Sequence, residues 1–209
     1  MSTSRTDRVE LAAAVLLAVA AVTTAWSSYQ ASRWNGEQAK TAAAVNKTRI
    51  AAARADDLAT SQTQVDIATF VQWVDAYAKR ENQLASFYRE RFRPEFKPAF
   101  EAWVATRPLR NPGAPPTPFA MPQYRLAAAA EAARLDVEAE LLAAEVRRYI
   151  QRSSNYVLGV VLCAVALFFA GISTKLASRK LRIAMVGLGW IVFIVAIAWI
   201  ATSPVSIAI

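Results

Sequence analysis

The chain contains no histidine and a single cysteine, Cys163. The lack of histidine removes the commonest general base and the commonest zinc ligand together, leaving chemistry to carboxylates, lysines, tyrosines and hydroxyls. One cysteine permits neither an intramolecular disulfide nor a thiolate metal cluster, which excludes stapled secreted scaffolds and zinc modules. Cys163 lies in an apolar run with no basic neighbour, an inert setting for a thiol. Breakers are scarce as well: no proline occurs before Pro94 or between Pro122 and Pro204, and Gly36 is the only glycine before Gly113. Long stretches without breakers default to helix.

Charge is also missing, over three long runs. Of 209 residues 55% are apolar, and they concentrate at 9–30, 153–174 and 183–203. Each run is long enough for about 30 Å of hydrocarbon at about 1.5 Å per residue. Only Glu10, at a rim, interrupts them. Ala18-Val19-Ala20 resembles a signal-peptidase site, but apolar character continues past it to Trp26, and Trp26, Tyr29 and Trp34 read as an interfacial aromatic belt. The first run is therefore expected to stay as an anchor. The organisation expected is a tail 1–8, a span 9–30, an extramembrane segment 31–152 with a Pro-rich stretch 107–122, a span 153–174, a basic connection 175–182, a span 183–203 and a tail 204–209.

The connection carries Lys175, Arg179, Lys180 and Arg182 with no acid, and the positive-inside rule places it in the cytoplasm. Three spans then put the N-terminus, with Arg5 and Arg8, on the same side and 31–152 outside. The flanks of that long segment pull the other way, with Arg33, Lys40, Lys47 and Arg49 after the first span and Arg134, Arg147, Arg148 and Arg152 before the second.

Within 31–152, Val65, Phe70, Trp73, Val74, Tyr77, Leu84, Phe87, Tyr88 and Phe92 fall mostly at helical spacing, and Leu126, Ala129, Ala130, Ala133, Val137, Leu141, Ala144 and Tyr149 do so more weakly. The outgoing stretch far exceeds the return stretch in length, so a break at Thr60–Gln64 is expected, its hydroxyl and amide side chains capping a new helix. Pieces 31–59, 65–92 and 123–152 would then pack antiparallel, with 107–122 running extended along them; one unbroken rod is the alternative. Alanines dominate 39–59 and offer a close-packing seam, between subunits or within one. The fold expected is an all-α integral membrane protein with three transmembrane helices and a coiled-coil-like helical-bundle soluble domain inserted between the first and second.

Three groups of residues are candidates for function. Arg89, Arg91, Arg93 and Lys97 interleave with Phe92, Phe96, Phe100 and Trp103, a pattern suited to an anionic lipid or partner; the plainer reading has those cations at the rim of an aromatic core, paired with Glu90, Glu95 and Glu101. Thr23, Ser27 and Gln30 share a helical face near one end of the first span, with Asn155 at similar depth on the second. They serve helix–helix hydrogen bonding or the mouth of a pore built by several subunits. The third group is the topology-setting set of Lys175, Arg179, Lys180 and Arg182. The remaining acids, among them Asp56, Asp57, Asp66, Asp75, Glu131 and Glu138, match no metal-ligand spacing and read as solvated faces. Nucleic acid is not expected as a partner, since 31–152 holds 18 basic against 14 acidic residues and is tethered to a membrane.

At AWSSYQASRWNGEQA (25–39), FRPEFKPAFEAW (92–103) and NYVLGVVLCAVALFFAGIS (155–173) the chain resembles a group of small bacterial three-pass membrane proteins usually described only as hypothetical. The resemblance implies a bacterial inner-membrane origin and carries no activity, so it transfers no residue role. The function expected is a non-enzymatic membrane protein without cofactor, its helical segment an oligomerisation or partner-binding module. Its partners would be the lipid bilayer, further copies of itself, or another envelope protein. An oligomeric passive channel is the alternative, and a hydrolase using two converging carboxylates a minor one.

Overall fold

A computed structural model describes residues 3–206, with side chains from Arg8 onward. The extreme ends of both expected tails, and the side chain of Arg5, lie outside the described residues. The described residues form five helices, α1 (Thr3–Ala78), α2 (Asn82–Arg91), α3 (Lys97–Ala105), α4 (Ala127–Ser173) and α5 (Arg179–Ala201), with a 3-10 turn at Pro118–Ala120. No strand occurs among the described residues. Three helices, α1, α4 and α5, are long and apolar enough to cross a membrane.

The expected break at Thr60–Gln64 does not occur. α1 continues through it, and the Thr63 hydroxyl, instead of capping a new helix, donates to the Ala59 carbonyl at 2.9 Å. The chain turns instead at Lys79–Glu81. There the Glu81 N–H bonds the Ala76 carbonyl at 2.9 Å and the Arg80 N–H that of Tyr77 at 3.1 Å. Arg80 is left-handed at φ 62°. These are the bonds of a Schellman stop with arginine where glycine usually sits, so pieces 31–59 and 65–92 do not form.

Two compact units emerge, Met1–Ala43 with Leu142–Ile209, and Ala44–Leu141. The first has a core of Leu16, Ala20, Cys163, Ala166, Phe193 and Ala196. Small residues let its helices approach closely: a Cβ added at Gly189 would sit 2.9 Å from Leu16 Cδ2 and 3.3 Å from the Ala166 carbonyl. The connection between α4 and α5 is shorter than expected, so Arg179, Lys180 and Arg182 lie in the first turn of α5. Arg182 Nη1 is 2.9 Å from Glu10 Oε1, which gives the one acid of the first apolar run an ion pair.

In the second unit α1 and α4 run antiparallel. Arg49 Nη2 reaches Glu140 Oε1 at 3.2 Å, and the Tyr124 hydroxyl just ahead of α4 reaches Thr63 Oγ1 at 3.3 Å. The seam is made of small residues: Val45, Ala52, Ala59 and Asp66 are buried on α1, Ala132 and Ala139 on α4, each seven residues from the next. This differs from the stripes read in the sequence. Val65, Val137 and Leu141 face solvent, because alanine, not the larger aliphatics, lets two backbones come together. Larger side chains gather elsewhere, where Phe70 of α1 meets Phe92, Phe96, Phe100 and Trp103, flanked by Trp73, Phe119 and Tyr124. Phe70 alone makes edge contacts with Phe96, Phe100, Trp103 and Phe119. At about 2–3 kcal/mol for each fully buried aromatic, this cluster is the largest hydrophobic contribution in the unit.

Candidate functional site

One polar network holds the Ala44–Leu141 unit together. Asp66 is wholly buried, with Oδ2 accepting from Arg93 Nη1 at 2.8 Å and from the Tyr124 hydroxyl at 3.1 Å. Arg93 Nη2 donates onward to Glu95, and Glu95 Oε1 accepts from the backbone N–H of Ala127 at 3.1 Å. That last bond explains how α4 begins. Leu126 precedes it, where Ser, Thr, Asp or Asn would normally cap, and the remote Glu95 supplies both the acceptor and the negative charge that a helix N-terminus favours. Asp66, Arg93, Glu95 and Ala127 thus tie α1 to the α2–α3 connection and to the start of α4. Burial pushes the Asp66 carboxyl above its ordinary range, against the opposing pull of Arg93, and Asp66 Oδ1 has no partner.

Beside the aromatic cluster lies an open groove of about 390 Å³, between the end of α1 and α3. Its walls are Trp73, Val74 and Tyr77 from α1, and Trp103 and Val104 from α3. Trp73 stacks on Tyr77 at 5.1 Å and meets Phe100 edge-on at 4.8 Å. Trp103 is pinned by its indole N–H, which donates to the Pro115 carbonyl at 2.8 Å. Arg107, Leu109 and Arg110 form the rim. A second hollow shares Trp73, Tyr77 and Val104 with the groove and adds Asn82, Ser86, Arg89 and Glu101.

The four cations singled out in the sequence do not converge. Arg93 is committed to the Asp66–Glu95 network. Arg91 lies over the Phe87 ring, 3.5 Å from its centroid, and Arg89 is 3.7 Å from Glu101. Lys97, half-buried, has no ion pair among the described residues, and Arg91 has none beyond its ring contact and a bond to the Phe87 carbonyl. Asp66, read as part of a solvated face, is instead the most buried acid. The signal was present: it stands one heptad beyond Ala59 in the series from Val45. Sequence reasoning also missed Arg107 and Arg110, whose significance depends on the turn that presents them.

The polar face of the first span divides. Thr23 bonds back to the Val19 carbonyl at 2.9 Å, and Asn155 accepts from Gln151 on the exposed surface. Ser27 and Gln30 are buried. Gln30 grips the backbone of Ser206 with both ends of its amide, Oε1 accepting from the N–H at 2.9 Å and Nε2 donating to the carbonyl at 3.4 Å. Tyr156 donates to the Pro204 carbonyl at 3.2 Å, and Ser153 to that of Ala31 at 3.2 Å. Beside them Trp34 stacks on Tyr149 at 5.6 Å, with the Arg152 guanidinium 4.6 Å from the Trp34 ring. Gln30 and Tyr156 therefore fasten the segment after α5 to α1 and α4, while the buried Ser27 hydroxyl has no hydrogen-bond partner among the described residues. Of the remaining sequence candidates, Lys175, Arg179 and Lys180 are exposed, while Arg182 turns to Glu10 and to the Leu176 carbonyl. Comparison of the chain with protein-family models, with curated proteins and with solved structures finds no match.

Proposed function

We propose that this chain is a non-enzymatic, multi-pass protein of the bacterial inner membrane, whose 31–152 segment is a coiled-coil-like binding module held at the membrane surface. The observation that carries this reading is the contrast between two surfaces of the Ala44–Leu141 unit. The alanine seam is already filled within the chain, Ala52 and Ala59 on α1 and Ala132 and Ala139 on α4 all being buried. The aromatic groove beside Trp73 and Trp103 remains open. A rigid seam that positions an open, aromatic-walled groove is the arrangement of a recognition element, since large aromatics and arginines dominate binding energy where they meet a partner. Self-association then belongs to the spans, whose outward residues Val22, Val161, Phe168, Ile191 and Ile194 are apolar and suit lipid or a second copy.

Two experiments test this reading. The mass of the purified protein, in detergent and in a lipid nanodisc, gives the subunit number. A photo-crosslinking residue at Val104, with one at exposed Ile50 as control, locates the recognition surface in cells. A defined adduct from position 104 and none from position 50 supports the module. A monomer in both media, with both positions silent, overturns it. A channel with Thr23, Ser27, Gln30 and Asn155 at its mouth is favoured less, because Ser27 and Gln30 face inward and Gln30 is already bonded to Ser206. Altered ion flux in Thr23→Val/Ser27→Ala liposomes would restore it.

The proposed topology places the N-terminus and the 175–182 connection in the cytoplasm and 31–152 outside. In a Cys163→Ala background, single cysteines at exposed Ser86 and Ser178 would be probed with an impermeant thiol reagent in intact cells. Labelling at position 86 alone agrees with this orientation, and labelling at position 178 alone reverses it.

A further inference from the structure

We infer that the groove between α1 and α3 takes an anionic amphiphile, an apolar chain or ring carrying a carboxylate or phosphate head. The inference rests on the binding-module reading and names the occupant of its groove. The walls are apolar and aromatic, as a hydrocarbon body requires. The rim is cationic. Arg107 and Arg110 have no ion pair or side-chain hydrogen bond among the described residues, although nearby acids do: Glu101 lies 3.7 Å from Arg89, and Asp75 is 2.7 Å from Lys79. Glu101 and Asp75 thus each have a cation of their own, and Arg107 and Arg110 line the aromatic groove without an acid partner.

The backbone is arranged to present them. α3 stops at Thr106, and Arg107 adopts a left-handed conformation at φ 53°, which a non-glycine residue rarely takes. Pro108 follows, without an N–H to continue the stop. The Arg107 carbonyl accepts from the N–H groups of both Arg110 and Asn111, at 2.8 Å and 3.0 Å. This tight turn sets the two arginines on one rim with Leu109 between them, 81% exposed. An exposed leucine flanked by two unpaired arginines, above a floor fixed by the Trp103–Pro115 bond, matches a ligand that is apolar along its length and anionic at one end.

The test uses the full chain in nanodiscs of zwitterionic lipid, labelled with fluorotryptophan and read by fluorine NMR, with the Trp73 and Trp103 signals assigned by phenylalanine replacement. The probe is octanoate, compared with octanol and octylammonium, and corrected against empty discs. A saturable shift confined to Trp73 and Trp103 is expected. Arg107→Gly with Arg110→Gln should weaken it about tenfold, the loss that follows removal of charge-assisted bonds. That variant keeps its fold, because glycine relaxes the left-handed position. Leu109→Glu should abolish the shift independently. Discs containing phosphatidylglycerol without octanoate separate the sources: a pre-shifted Trp103 signal identifies a membrane lipid as occupant, and a signal moved only by octanoate identifies a soluble amphiphile. Equal response to octanol, a shift spread over the other tryptophans, or an unchanged affinity in the double variant would overturn the inference. If these fail while position 104 still crosslinks a protein, the anionic amphiphile is wrong and the binding module stands.

Discussion

Replacing Asp66 by asparagine and by alanine separates what its shape contributes from what its charge contributes. The carboxylate is wholly buried and accepts from Arg93 and Tyr124, so Asp66→Ala strands two donors. Tyr124 retains Thr63 and Arg93 retains Glu95, and the Arg93 side chain is 22% exposed, so the cost falls below that of a fully buried broken pair, at about 2 kcal/mol. Asparagine keeps the acceptor and the volume. Burial is the largest influence on Asp66 and holds its pKa above the ordinary 3.8. An acid raised on folding contributes its full stability below its unfolded value and loses it as pH rises through the folded one. At neutral pH the wild type therefore carries an uncompensated part of a buried charge, and Asp66→Asn relieves it. Amide hydrogen exchange of α3 in the full chain measures both. At pH 7 Asp66→Ala should speed exchange about thirtyfold, following from about 2 kcal/mol. Asp66→Asn should match the wild type or exchange more slowly at pH 7, and lose ground to it at pH 4. Equal acceleration by both substitutions at pH 7 would refute the reasoning, because the charge itself would then be what holds the network.

Arg80 occupies a left-handed helix stop at φ 62°, so Arg80→Gly should stabilise the Ala44–Leu141 unit by about 0.5–1 kcal/mol, visible as slower exchange of the last turn of α1. In α5, Gly189→Val meets Leu16 and the Ala166 carbonyl, whereas Gly187 has nothing within 4 Å. Thermal melts in detergent should show Gly189→Val lowered, by a cost of about 1–3 kcal/mol from overpacking, and Gly187→Val nearly unchanged. Gln30→Leu removes both bonds to Ser206, and the Ser206 amide should then exchange about eightfold faster, from two bonds of about 0.6 kcal/mol each.

The apolar runs were legible because nothing competes with a charge-free stretch of that length: α1, α4 and α5 contain them. Where α1 stops was not legible, since the chain there, Ala78-Lys79-Arg80-Glu81, has neither glycine nor proline. The helix ends because a Schellman pair of bonds forms around an arginine in the left-handed region, while Thr60–Gln64, richer in capping residues, stays helical with the Thr63 hydroxyl turned back onto the Ala59 carbonyl. The start of α4 was hidden for a related reason, its capping acceptor being Glu95, far away in sequence. Local chemistry reports boundaries only when the partners are local.

The α1 side of the seam was legible in the alanines of 39–59, but its α4 side and the cationic cluster fail to read from sequence through one shared error, that of ranking residues by size or charge rather than by what approaches them. Val137 and Leu141 look like core and are exposed, while Ala132 and Ala139 are buried, because the helix pair gains more from close backbone approach than from filling space with larger side chains. Arg89, Arg91 and Arg93 look like one basic patch and are instead an ion pair, a cation over a ring, and the centre of a buried network. A charge counts toward recognition only after its internal partners are subtracted. By that standard Arg107 and Arg110, unremarkable in the sequence, outrank Arg89 and Arg93, since they line an aromatic groove and have no ion pair among the described residues. The groove they rim is consequently the place where substitution should change binding while leaving the fold intact.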